Sequence, residues 1–505
     1  MSDFTKLADL ASERLGGTVL WANDDFFAPK ENLLKPETPV FREHEYTDRG
    51  KWMDGWESRR RRTPGHDLCV IQLSLPGILR GAVVDTSFFR GNYPEHCSLE
   101  ACAFEGPGSE VLGIPETAWT EVLPKSALKG DSQNLFAISH PHRFTHLRFH
   151  IYPDGGVARL RVHGEVVPDW SRVLATGGPI DLVAVGHGGR FVSCSDMFFG
   201  VPQKLLLPGR GVNMGDGWET KRRRGPGFDW VILQLGIEAT ISRVEVDTAH
   251  FKGNYPDSCS LEACAIADGT SDEAGAASAS WKEVLPQTKL QPDAQQVFED
   301  SVRDVGPATH VRFNIFPDGG VSRLRVWGTP SDAGRLREGL RRLNALPDGQ
   351  ARAALLGCCG SPKWAQLVAE RRPFASFEDL SSAADAVWAS LDSKEWLDAF
   401  RSHPRIGESK AAREQSQQER KWSEQEQVSV SQASDRMRTA LAEQNRAYEQ
   451  RFGYLFIVCA TGKSSEEMLA LLKQRLANDP EKELAVAAEE QRRITRLRLE
   501  KLLRL

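Results

Sequence analysis

The chain has 505 residues, more than one ordinary hydrophobic core can serve, so two or three domains are expected. A formal net charge of −5 at pH 7 gives no general attraction to nucleic acid or to an anionic membrane, and no stretch supplies the ~18 uninterrupted apolar residues of a spanning helix. Nine cysteines form an odd, sparse set that fits reduced thiols better than a disulfide framework.

The opening MSDFTKLADLASERLGG has neither the basic region nor the apolar run of a secretory signal, and Arg504-Leu505 does not match a peroxisomal Ser-Lys-Leu, so a cytoplasmic location is expected. The chain then repeats itself. Gly17 to Phe27 returns as Gly189 to Phe199, and DGWESRRRRTPGHD (Asp54 to Asp67) returns as DGWETKRRRGPGFD (Asp216 to Asp229). VVDTSFFRGNYPEHCSLEAC returns as VEVDTAHFKGNYPDSCSLEAC ending at Cys264, and HLRFHIYPDGGVARLRVHG from His146 returns from His310 as HVRFNIFPDGGVSRLRVWG. With only two copies, and a period longer than that of solenoids, each repeat is expected to have its own core. Short apolar runs such as CVIQLSL, WVILQLGI, GAVVDTSFF and ISRVEVDT, separated by Gly, Pro, Asn and Asp, predict a β-sandwich or jelly roll in residues 1–168 and again in 169–329.

After Gly328 glycine thins, and Leu, Ala, Glu, Arg and Gln take over at helical spacing. A linker over 330–337 leads into an all-α domain over 338–505. Helices are predicted over Arg335–Leu346, Gln350–Leu355, Lys363–Glu370, Ser376–Ser390, Glu408–Ser423, Ser434–Gly453, Ser465–Ala477 and Pro480–Leu503. ATGKS at Ala460 to Ser464 is not a phosphate loop, because Ile457 stands where that loop requires glycine. Cys358-Cys359 lacks metal spacing, and Cys97 with Cys102, repeated as Cys259 with Cys264, reads as packed thiols. The arginine runs carry no interleaved aromatics, so nucleic acid is not an expected partner.

From about Leu7 to Gly328 the paired DGWE-arginine, GNYP, SLEAC and PDGG blocks resemble the allantoicase family. The resemblance implies two all-β jelly-roll repeats of the galactose-binding-like kind and hydrolysis of allantoate to (S)-ureidoglycolate and urea. Allantoate carries two ureido groups and a carboxylate on one carbon, so its site calls for acid/base carboxylates, a cation and amide groups. The candidates are Glu57, Asp85 and Asp154 with counterparts Glu219, Asp247 and Asp318, the arginine runs around Arg60 and Arg222, and Asn92 with Asn254. Residues present in both copies also suit a purely structural role. Positions where the copies differ, His66 against Phe228, Phe88 against His250 and His150 against Asn314, would mark one active site serving the pair. His146 and His310 flank apolar strands, where a structural histidine is the commoner reading. A divalent metal for this half is left open, as is a homo-oligomer. An alternative is a duplicated jelly-roll module that binds ureides without turnover.

From Glu338 to Leu505 an ordered series resembles the decarboxylase of 2-oxo-4-hydroxy-4-carboxy-5-ureidoimidazoline (OHCU): LLGCCGSPKWAQLVAERRPFASFEDL, SHPRIGE, WSEQEQ, NRAYEQRFGYLFIVCATGKS, RLAND and ITRLRLEKLL. The resemblance implies formation of (S)-allantoin without a cofactor, with His403 as proton donor followed by Pro404. It also implies Glu426 orienting the imidazole, Ser423 and Gln427 binding substrate, Phe456, Ile457 and Ala460 contacting the ring through their backbone, and Arg498 meeting the anionic group. Glu424-Gln425 offers a competing register for Glu426-Gln427, and Arg496 is an alternative to Arg498.

Overall fold

The computed structural model describes residues 3–267, 272–403 and 435–504. The chain divides into two compact units, Met1–Gly334 and Arg335–Leu505. In the first unit each repeat is an eight-stranded antiparallel sheet folded over on itself. One long strand makes that folding possible, Asp67–Asp85 in the first repeat and Asp229–Asp247 in the second. Its first half pairs with Arg143–Tyr152 and Thr18–Ala22, and its second half with Arg159–Val166 and Gln133–Ala137. A strand shared in this way belongs to both layers of the sandwich. Alternation supplies the core: Cys69, Ile71 and Leu73 point inward with Leu147, Phe149, Ile151, Leu160 and Val162. The opposite face of Arg143–Tyr152 carries His146, Arg148, His150 and Tyr152.

The DGWE blocks are anchors. Trp56 and Trp218 are fully buried, and their indole N–H groups donate to the carbonyls of Asp24 at 2.8 Å and Asp196 at 2.9 Å. Gly55 lets the chain pass, because a Cβ there would lie 2.6 Å from the carbonyl oxygen of Val157. At the end of each long strand, Phe88 and His250 hold φ near +70°, in the left-handed region that bulky residues avoid. Their N–H groups donate to Asp131 at 2.8 Å and Asp293 at 2.7 Å. Backbone strain held by surrounding bonds clusters at functional sites.

The repeats are pinned together where Arg14 of the first pairs with Asp216 of the second, which also accepts from Arg323 Nη2 at 2.8 Å. Burial pushes the Asp216 carboxyl up, but hydrogen bonds from Arg14, Arg323 and the Val212 N–H outweigh it and bring it down to about 2 from an ordinary 3.8. A lowered carboxyl stabilises the fold fully above pH ~4 and loses that contribution as pH falls toward 2. Denaturant titration of the β unit is therefore expected to show Asp216→Asn destabilised by on the order of 2 kcal/mol at neutral pH, the gap closing near pH 2. A gap independent of pH would contradict this origin.

In the second unit helices span Asp332–Ala345, Asp348–Cys359, Pro362–Ala369, Phe377–Ser390, Ser393–Arg401, Asp435–Phe452, Ser465–Arg475 and Pro480–Leu503. Two differences from expectation stand out. The stretch 330–337, expected as linker, is strand to Pro330 and helix from Asp332. Helix Ser393–Arg401 was not anticipated, and it is started by a capping box in which Asp392 and Glu395 bond each other's backbone N–H at 3.1 and 2.9 Å. The expected helix 408–423 lies outside the described residues. Among the described residues no helix is long and apolar enough to cross a membrane, and all nine cysteines are free.

Candidate active sites

In each repeat the DGWE anchor fixes a glutamate at one end of the sandwich. Glu57 accepts from Asn92 Nδ2 at 2.7 Å, and Glu219 from Asn254 Nδ2 at 2.6 Å. Burial pushes the Glu57 carboxyl above its ordinary value, and the Asn92 bond only partly opposes it. Asn92 sits in a turn clamped on the Pro153–Gly156 segment, its carbonyl accepting from the Gly156 N–H at 2.7 Å.

The arginine run divides by task. Arg61 pairs with buried Asp67, and its N–H donates to Asp154 Oδ2 at 2.8 Å; Arg223 does the same with Asp229 and Asp318. Asp154 and Asp318 thus tie the loop down. Arg59 forks onto Asp24, its Nε at 2.6 Å. Arg60 and Arg222 are exposed and, among the described residues, form no ion pair within 4 Å, so they remain available to an anion.

The third carboxylate pair breaks the symmetry. Asp247 is gripped by Arg210 through Nε at 2.8 Å and Nη2 at 3.0 Å. Asp85, equally buried, accepts from the Ser87 N–H at 2.8 Å and weakly from Gln133 Nε2 at 3.4 Å, and no cation among the described residues pairs with it. The difference arises in the connection after Leu34 and Leu206. The second repeat has a short turn carrying Arg210, whereas the first has a longer segment that stacks Phe41 on Phe88 with centroids 5.5 Å apart. Sequence reading missed Arg210, whose only signal was its place in that shortened turn. His146 and His310 are buried, each ring bonding the preceding threonine hydroxyl at 2.9 Å.

In the helical unit His403 emerges just past helix Ser393–Arg401, its N–H donating to the Phe400 carbonyl at 3.2 Å. Next to it Ser402 packs on Gly360, where an added Cβ would lie 2.1 Å from the serine hydroxyl. Neighbouring Cys359 feels both the Thr495 hydroxyl and the Arg498 guanidinium, although burial still pushes its thiol up to about 12. The corner at Cys359-Gly360 thus has buried Arg498 and Ser402, the residue before His403, among its neighbours. Arg496 faces elsewhere, lining a small cavity with Trp364, Ser381, Asp385 and Trp388.

The segment Phe456 to Ala460 runs extended between two cores. Ile457 and Cys459 pack on the side of Phe400 and Cys359, while Phe456, Val458 and Ala460 pack with Tyr448 and Met468. These side chains are committed to packing, so only the backbone is left to meet a ligand. That backbone is held by Arg475 Nη1 on the Ile457 carbonyl at 2.7 Å and by Glu490 Oε2 on the Cys459 N–H at 2.7 Å. Pro404, Ser423, Glu426 and Gln427 lie outside the described residues. Among the described residues no group of three His, Cys, Asp or Glu side chains is arranged to hold a metal ion.

A duplicated β-sandwich unit with a carboxylate–amide pair in each copy, followed by a separate helical unit with its own core, is the architecture of a two-part protein. The allantoicase repeat model matches residues 8–167 and 180–331, and the OHCU decarboxylase model matches 344–500. The chain is 52% identical over 330 residues to a probable allantoicase of Pseudomonas syringae pv. tomato, covering 65% of this chain and 98% of that one. It is 49% identical over 331 residues to a probable allantoicase of Photobacterium profundum, covering 65% and 98%. The crystal structure of an allantoicase from Saccharomyces cerevisiae matches with a TM-score of 0.54 and 37% identity, covering 64% of this chain and 93% of that one. The chain belongs to the allantoicase family and continues into an OHCU decarboxylase domain. It is a bifunctional enzyme of purine catabolism, a hydrolase in its β unit and a decarboxylase in its helical unit.

Proposed function

We propose that the β unit hydrolyses allantoate to (S)-ureidoglycolate and urea in a site of the first repeat, and that the helical unit converts OHCU to (S)-allantoin. The observation that carries the first assignment is the unequal state of Asp85 and Asp247. Asp247 is neutralised by the Arg210 fork, whereas Asp85, though in the field of Arg161, has no cation within 4 Å among the described residues and keeps acceptor capacity for ureido N–H groups. Glu57, raised by burial, is suited to hold a proton and give it to the departing urea nitrogen, with Asn92 orienting it. Water adds to the carbon that carries both ureido groups, its bond to one ureido nitrogen breaks, and urea leaves with the proton. Arg60 and Arg62 are exposed cations available for the substrate carboxylate. Urea release with and without chelator decides whether a divalent ion is needed.

In the helical unit the ring carbonyl of the substrate takes up the electron pair left by carbon dioxide, so the protein has only to orient the carboxylate and deliver one proton. His403 is the donor and Arg498 the anion partner in this reading. The two reactions are not consecutive, because the ring of allantoin must be opened between them.

Urea release from allantoate by the full chain tests the first half. Glu57→Gln is expected to lower kcat by ~10²-fold or more, and Glu219→Gln by only a few-fold. Equal losses in both would move the chemistry to both repeats. Allantoate binding without any urea from the wild type would favour a ureide-binding module.

A further inference from the structure

The outer sheet face of the first repeat holds a chain of titratable groups that the second repeat lacks. His150 Nε2 lies 3.0 Å from Glu100 Oε2, and His150 Nδ1 lies 2.9 Å from His66 Nε2. A carboxylate only accepts, so His150 carries its proton on Nε2 and, when neutral, presents a lone pair at Nδ1. His66 must then donate from Nε2, which leaves the lone pair of neutral His66 on Nδ1. No described residue hydrogen-bonds that nitrogen. The direction of the whole chain is thus set by one glutamate.

Tyr152 lies under the His66 ring, centroids 4.5 Å apart, with its hydroxyl 2.9 Å from Ser98 Oγ and Lys125 Nζ 4.5 Å from its own centroid. Burial lowers both histidines. The other groups facing them are Arg61, Asp67 and Lys125 around His66, and Arg148 and Glu116 around His150. In the second repeat Phe228 packs on Phe316 at 4.8 Å, and Asn314 Nδ2 reaches Ser260 Oγ at 3.0 Å and Glu262 Oε2 at 2.9 Å. The same sandwich is built there without either imidazole, so the fold does not require them.

The arginine loop joins this chain to the site already described. The arginine loop starts beside Glu57 and ends at His66, and it closes on a single turn: the Ser58 N–H donates to the Gly155 carbonyl at 3.2 Å and the Asp67 N–H to the Pro153 carbonyl at 3.1 Å. Glu57 and His66 stand at the two ends of this loop, burial raising the proton affinity of one and lowering that of the other, the pattern that separates an acid from a base.

We propose that His66 is the general base of the hydrolysis, taking through Nδ1 the proton of the water that attacks the ureido-bearing carbon, with His150 and Glu100 as positioning residues that fix its tautomer. This rests on the allantoate reading of the β unit. As the C–O bond forms and the C–N bond breaks, the water proton goes to His66 and the Glu57 proton goes to urea; exchange with solvent then resets both groups.

The test uses the residues that the second repeat itself supplies. In the full-length enzyme His66→Phe is expected to lower kcat for urea release by ~10²-fold or more and to remove the acidic limb of the kcat/KM pH profile. His150→Asn is expected to keep measurable turnover with that limb displaced, and OHCU decarboxylation should be unchanged in both. Wild-type kcat and an intact acidic limb in His66→Phe would overturn the relay while leaving the allantoate reading in place. No urea from the wild-type enzyme would overturn both.

Discussion

Replacing His403 by asparagine is expected to lower OHCU decarboxylation by ~10²- to 10⁴-fold while urea release from allantoate stays at the wild-type rate. Asparagine is smaller but keeps a hydrogen-bond donor, and it cannot supply a proton. The Ser402–Gly360 contact and the N–H bond to Phe400 that hold the position are made by neighbouring atoms and survive the change. Stopped assays of carbon dioxide and urea on one preparation read both activities. Loss of both together would mean that the two units do not work independently. Full decarboxylation in the variant would move the proton donor elsewhere.

Replacing Glu483 by alanine is expected to destabilise the helical unit by about 3–5 kcal/mol. Glu483 is fully buried and accepts from the Tyr448 hydroxyl, from Arg475 Nε at 2.8 Å and Nη2 at 2.6 Å, and from Asn478 Nδ2 at 2.7 Å. Removing it leaves the Arg475 guanidinium buried without its counter-charge, and that uncompensated charge dominates the cost. Burial together with the glutamate already pushes the Tyr448 hydroxyl far above its ordinary value, so it cannot supply the missing charge. Arg475 also holds the Ile457 carbonyl, so decarboxylation should fall along with stability. Chemical denaturation of the full chain should move the transition of the helical unit and leave that of the β unit in place. A shift below ~1 kcal/mol would show that the network relaxes around the gap.

Much of this could be read in the chain before any coordinates. The duplication, the β repeats and the change to helix after Gly328 follow from self-similarity, turn residues and hydrophobic period. Those signals are local, and their energetic consequence, burial of one face, is insensitive to detail. The ordered motifs of both families were equally legible. Helix Ser393–Arg401 was missed although shorter stretches were read as helix and the Asp392 and Glu395 capping pair was there to be read. That omission mattered, since this helix delivers His403.

The sequence by itself determined the two folds, the repeat, the family and the residue types from which the sites are drawn. Only the tertiary structure decided which members of each matched pair are equivalent. Arg61 and Arg223 turned out to be fasteners, Asp247 is held by an arginine that Asp85 lacks, and His66 meets His150 and Glu100. The physical reason is that strand pairing sets side chains from distant parts of the chain opposite one another. Hydrogen bonds and ion pairs act over about 3 Å, so whether a carboxylate is neutralised or an imidazole oriented depends on that register and on loop length.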